Sequence, residues 1–152
     1  MPKHIIILAV PGVQMLDVSG PMDVFAEANQ QRGREVYKLS VMAINDPIVT
    51  SSSGTRILAD MILDAPLPDN LDTFLVAGAP SLNTFLSDDA LKHNLCRWSH
   101  HAQRFGSVCS GALLLAAAGL LDNRRVTTHW AVAEKLSQEY PRVCVEADAI
   151  FI

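Results

Sequence analysis

The sequence lacks most of the features that would take it out of the ordinary globular class. Its 152 residues hold three cysteines, Cys96, Cys109 and Cys144. An odd number without framework spacing argues against a disulfide scaffold and for a reducing compartment. Charged residues make up only 18%, and the formal net charge is −4. An acidic domain without clustered Lys and Arg is a poor binder of a phosphate backbone, so any action on DNA would need other polypeptide. No apolar run reaches the roughly 18 residues that a membrane span needs. The longest, residues 112–121, is broken by Gly119. Residues 4–10 are apolar but too short for a secretion signal, and no charged lead and small-residue cleavage site surround them. A cytoplasmic protein is expected. Phosphate-cradling glycine loops of the Walker or dinucleotide type are missing, as are internal repeats and low-complexity linkers, and no cofactor is expected.

What is present is apolar: 49% of residues are hydrophobic, enough for one domain with a sizeable core. Residues 4–10, His-Ile-Ile-Ile-Leu-Ala-Val, are continuously apolar and β-branched, as a strand buried on both faces must be. Pro11-Gly12 ends it. Residues 19–21, Ser-Gly-Pro, predict a helix start, with Ser19 or Gly20 as cap and Pro21 in the first helical position; Gly33 would stop it. Strands are expected at 37–44 and 73–77, with a turn at 45–47 and short strands at 48–50 and 56–59 around Ser51-Ser52-Ser53-Gly54. Ser87-Asp88-Asp89 caps a helix whose apolar positions Leu91, Leu95, Trp98 and Ala102 keep helical spacing. A strand at 105–108 runs into Cys109, a helix over 110–118 follows, and 126–128, 143–145 and 149–152 read as strand-like around a helix at 130–139.

Strands alternating with helices define an α/β fold, a doubly wound sandwich around a mostly parallel sheet. Sites in that architecture gather at the carboxyl ends of strands. Three segments qualify, 11–17, 78–81 and 109–111, and they are expected to meet at one rim. The chain also stops among apolar residues at 149–152, which reads as a fragment of a longer polypeptide.

Cys109 is the first candidate for chemistry. In Gly106-Ser107-Val108-Cys109-Ser110-Gly111-Ala112 it sits on a strand-to-helix turn between small residues, where a helix amino end favours thiolate. It is a nucleophile, a redox-sensitive thiol, or a small buried hydrophobe. Asp17, between Leu16 and Val18, is either a partly buried proton donor and acceptor or a cap for the helix just downstream. His129 follows the elbow helix closely enough to return to the same rim, as a base or as a structural or interface histidine. Backbone amides at Gly78, Ala79 and Ser110 are candidates to hold an oxyanion or a ligand carboxylate, or are plain turn. His93 and His100 lie two helical turns apart and, with His101, read as a solvated face, so no metal site is expected.

Taken together, these segments resemble a known family. Residues 11–29, Ser51-Ser52-Ser53-Gly54, the run 72–78, the elbow 107–112 and the stretch 117–130 resemble, in order and spacing, the PfpI-like, class I glutamine amidotransferase-like domains at the amino terminus of AraC-type transcriptional regulators. The resemblance spans nearly the whole chain, residues 1–152 as one domain. It implies a flavodoxin-like three-layer α/β/α sandwich, usually a homodimer, that senses a small-molecule effector while a carboxyl-terminal helix-turn-helix pair binds DNA. Neither that pair nor the last part of the family domain falls within these residues. Isonitrile hydratases resemble the same stretch, and there the residues matching Cys109 and Asp17 are the nucleophile and its assisting acid. That makes Cys109 and Asp17 a latent catalytic pair here, with Gly78 and His129 beside it. Many relatives carry Gly-Gly where this chain has Gly78-Ala79.

Overall fold

The apolar run near the amino terminus becomes the centre of the molecule. In the computed structural model, which describes Met1–Ile152, β1 (Lys3–Leu8) buries every residue after Lys3. β2 (Tyr37–Ala43) pairs with one side of β1 and β6 (Leu71–Val76) with the other. β5 (Met61–Ile62) adds to β2, and β7 (Arg104–Ser107) adds to β6. The sheet runs β5-β2-β1-β6-β7 and all four pairings are parallel.

Side chains alternate across this sheet and divide the core in two. Ile6 and Leu8 enter the larger cluster with Phe74, Trp98 and Leu114. Ile7 and Ala9 enter the smaller one with Val18, Val41 and Val49. α1 (Met15–Arg32) covers the second face, while α2 (Asp89–His101), α3 (Ala112–Ala117) and α4 (Trp130–Glu139) lie on the first. The result is the flavodoxin-like three-layer sandwich. A hairpin of β3 (Ile48–Thr50) and β4 (Arg56–Leu58) and a parallel pair of β8 (Arg125–Val126) and β9 (Cys144–Val145) stand outside the main sheet.

Three local expectations give way. α1 begins at Met15 rather than at Pro21, so Pro21 lies inside the helix and neither Ser19 nor Gly20 caps it. The first turn is held from outside: the Gln14 N–H bonds the Gly78 carbonyl at 2.9 Å, and Asp17 and Val18 are buried. Tertiary anchoring outweighs a proline penalty of about 3 kcal/mol. The helix predicted from residue 110 opens instead as a 3-10 turn, Cys109–Gly111, before α3. Residues 149–152 form no strand, although β7 is an edge of the sheet, and Ile150, Phe151 and Ile152 are exposed: apolar composition alone does not make a strand. The cap of α2, by contrast, falls within the segment 87–89 that predicts it. Asp88 accepts the Leu91 N–H at 3.0 Å at the start of α2. No helix is long and apolar enough to cross a membrane.

Candidate functional site at the carboxyl rim of the sheet

β1 leads to β2 on one side, and the chain later returns to β6 on the other. The rim between β1 and β6 is therefore the point where the direction of winding reverses. The three segments predicted to converge do meet there. The Gly78 N–H donates to Asp17 Oδ2 at 3.0 Å, the Ala79 N–H donates to Ser110 Oγ at 3.2 Å, and Ser81 Oγ donates to the Pro11 carbonyl at 3.0 Å.

Cys109 occupies the turn after β7 with φ of +57°. That conformation costs a non-glycine residue of order 1–3 kcal/mol, and it persists only where the surroundings enforce it. Here the Thr128 hydroxyl donates to the Cys109 carbonyl at 2.8 Å and the His129 N–H donates to the same oxygen at 3.3 Å. Two glycines allow the close approach. A Cβ at Gly111 would stand 2.1 Å from the Val76 carbonyl oxygen. At Gly78 it would stand 2.7 Å from both Asp17 Oδ2 and Ser110 Oγ.

The thiol and the carboxyl are close enough to perturb one another. Burial pushes the Asp17 carboxyl above the ordinary carboxylate range, against the opposing pull of the Gly78 N–H, Cys109 and His129. Burial also raises the Cys109 thiol, and the Asp17 charge raises it further; the Ser110 N–H opposes both without reversing them. The turn's amino-end amides therefore do not make this thiol acidic. Both groups hold their protons more firmly than usual.

The other candidates have structural partners. His129 caps α4: its Nδ1 accepts the Ala131 N–H at 3.1 Å, which fixes the tautomer with hydrogen on Nε2. The Gly78 and Ala79 amides point at Asp17 and Ser110, inside the protein. A ring nitrogen of His101 donates to the Pro68 carbonyl at 2.6 Å, and no three His, Cys, Asp or Glu side chains converge as a metal set would.

Beside the elbow lies a cleft of about 250 Å³, lined among others by Ala79, Leu82, Cys109, Leu113, His129 and Lys135. Asn83 and Lys135, which hydrogen bond across its mouth, carry no mark in the sequence beyond the helical spacing of Lys135 from Ala131. Thr128, which locks the elbow, stands next to His129 in a stretch that reads only as strand-like, with nothing in its residues to mark that role.

Fold and site define a class: a flavodoxin-like α/β domain with a strained cysteine elbow and a carboxyl group at its switch point. This chain belongs to the DJ-1/PfpI family, whose model matches residues 3–149. It is 37% identical over 140 residues to a Streptomyces lividans protein from the cpoL 5′ region, covering 92% of this chain and 96% of that protein. It is 34% identical to the isonitrile hydratase of Pseudomonas putida, over 90% of this chain and 56% of the hydratase. It is 27% identical to the HTH-type transcriptional regulator GbdR of Pseudomonas aeruginosa, over 95% of this chain. The chain spans only 38% of that regulator's length. Among solved structures, an AraC family transcriptional regulator from Pseudomonas putida superposes with a TM-score of 0.80 at 22% identity, covering 99% of this chain and 79% of that one.

Proposed function

We propose that this chain is the ligand-sensing and dimerising domain of an AraC-type regulator in the cytoplasm, with DNA bound by a helix-turn-helix region outside these residues. The observation that carries the reading is how the site's polar groups are used. The thiol is held protonated by burial and by Asp17, the Gly78 and Ala79 amides are taken up internally, and His129 Nδ1 caps a helix. Such a site presents a half-apolar cleft to a small effector rather than an activated nucleophile. Kinship with GbdR over nearly the whole chain supports it, and a net charge of −4 suits a domain that leaves DNA to another. Dimerisation is supported by the outer face of α1, where Leu16 and Val24 are each 69% exposed on either side of Gly20. The test is thermal stability against small metabolites. A ligand at about 100 times its Kd adds about 2.7 kcal/mol. If none shifts melting and the intact regulator ignores them all, sensing is wrong.

A second reading has its own support. A carboxyl with a raised pKa beside a cysteine, in a chain 34% identical to an isonitrile hydratase, suits a hydratase or hydrolase. The Cys109 sulfur would attack an electrophilic carbon, and Asp17 would move the proton. Turnover of an isonitrile that survives in Cys109→Ala excludes it.

A further inference from the structure

The lining of the elbow cleft has an unequal charge. Leu82, Leu113 and Val132 make its walls apolar, and Lys135 brings the one full positive charge. No Asp, Glu, Phe, Tyr or Trp lines it. A cation would find neither a counter-ion nor the aromatic faces that ordinarily hold quaternary ammonium groups. Asp17 is not part of the lining, and burial favours its neutral form.

Position along α4 sets a length. Ala131, Val132 and Lys135 share the face that walls the cleft. The amino end of α4 lies at the elbow, with the His129 N–H on the Cys109 carbonyl. Lys135 comes four residues beyond Ala131, about 6 Å along the axis. Its ammonium donates to Asn83 Oδ1, and that pairing draws it to the cleft mouth beside a side chain whose amide can also donate. The volume, about 250 Å³, lies below the range of drug-sized pockets.

We infer that the elbow cleft selects small organic anions, with the carboxylate on Lys135 and Asn83 and a short apolar or acylated body reaching toward Cys109. This rests on the small-molecule reading above and narrows it: carboxylates are favoured over the matching amides, and amides over amines.

Three alkylating reagents with one electrophile separate the charges: the chloroacetyl derivatives of glycine, glycinamide and ethylenediamine. Each lets a cysteine sulfur displace chloride from the same CH₂ group, the thiol proton passing to solvent. Only the tail differs, being anionic, neutral or cationic. Cys144 is exposed and serves as the internal control. Rates at each cysteine are read by peptide mass spectrometry. Cys109 is expected to react in the order anion, neutral, cation, with roughly a fivefold spread, the scale of one partly exposed ion pair gained or opposed. Cys144 should show no such order. Lys135→Gln should flatten the order at Cys109, and Lys135→Arg should keep it.

Equal rates at Cys109, or the cationic reagent fastest, overturns the inference; so does an order that survives Lys135→Gln. The sensing reading fails separately. If the order holds but neither N-acetylglycine nor any other unreactive ligand shifts melting, sensing falls and charge selection stands. If neutral amides stabilise the chain and no order appears, the anion inference falls and sensing stands.

Discussion

Two buried aspartates stand at opposite ends of the same sheet and answer burial in opposite ways. Asp17, at the carboxyl rim, is 8% exposed, and Asp72, at the amino end of β6, is 4% exposed. Burial pushes both upward. At Asp72 the Thr73 hydroxyl, Lys3 and Arg104 outweigh it and hold the carboxyl below the usual range; Lys3 Nζ is 3.4 Å away and Arg104 Nε 3.5 Å. At Asp17 the opposing groups are an amide, a thiol and an imidazole, and burial prevails. The lesson is that depth alone does not decide a proton's fate. The sheet's amino end is neutralised by pairing, whereas at its carboxyl rim burial outweighs the neighbours and favours the neutral carboxyl.

The sharpest break of this comparison is steric. The rim depends on backbone approach, whereas the other end depends on charge. Gly111→Ala should cost about 3 kcal/mol or leave the chain unfolded, because its Cβ would press on the Val76 carbonyl at 2.1 Å. Denaturant unfolding measures this, and a loss under about 1 kcal/mol would mean that the elbow yields easily.

Next come the paired carboxyl substitutions, which should differ in sign. A depressed carboxyl such as Asp72 contributes stability above its ordinary value of about 3.9 and loses it as pH falls toward its folded value. Asp72→Asn should therefore destabilise at pH 7 by about 1 kcal/mol, since Lys3 and Arg104 are half exposed and screened, and the loss should shrink in 1 M salt. A raised carboxyl such as Asp17 contributes fully below its ordinary value and loses that contribution as pH rises through its folded value. Asp17→Asn keeps an acceptor for the Gly78 N–H, so it should melt a few degrees higher than the parent at pH 8 and no higher at pH 3. Melting curves at both pH values decide it; equal signs for the two variants would abolish the contrast.

Two smaller effects sharpen the picture at the rim. The pH at which Cys109 becomes alkylable should lie above that of an ordinary thiol and fall in Asp17→Asn, because the Asp17 charge is the second cause of its elevation after burial. Iodoacetamide rates across pH 7 to 10 read this directly. Thr128→Val removes one donor from the Cys109 carbonyl and should cost about 1 kcal/mol, seen as a lower denaturation midpoint.

Much of this architecture was legible before any coordinates. The β-branched run at 4–10 reads as a doubly buried strand and becomes β1; the spacing of Leu91, Leu95 and Trp98 becomes the buried face of α2. These signals are local and repeat over many residues, so they survive tertiary context. Pro21 and the apolar tail misled for the opposite reason. A single residue's preference was overridden by Gln14 and Asp17 anchoring the first turn of α1, and the apolar residues at 149–152 stay exposed and unpaired, since apolar composition alone does not specify a strand. Cys109 and Asp17 could be named from their flanking residues, but the state of their protons could not. That depends on burial and, for Asp17, on neighbours 61 and more positions away in the chain, beginning with Gly78.

By itself, the sequence determined the alternation of strands and helices, the placing of the elbow and the list of groups that could meet at the rim, because hydrophobic period and small-residue turns act over short stretches of chain. Only the tertiary structure decided that the thiol is pushed toward its protonated form rather than toward thiolate, that two rim amides are already taken, and that a lysine on α4 faces the cleft. Those outcomes follow from distances and desolvation between segments far apart in sequence, which composition and spacing do not encode.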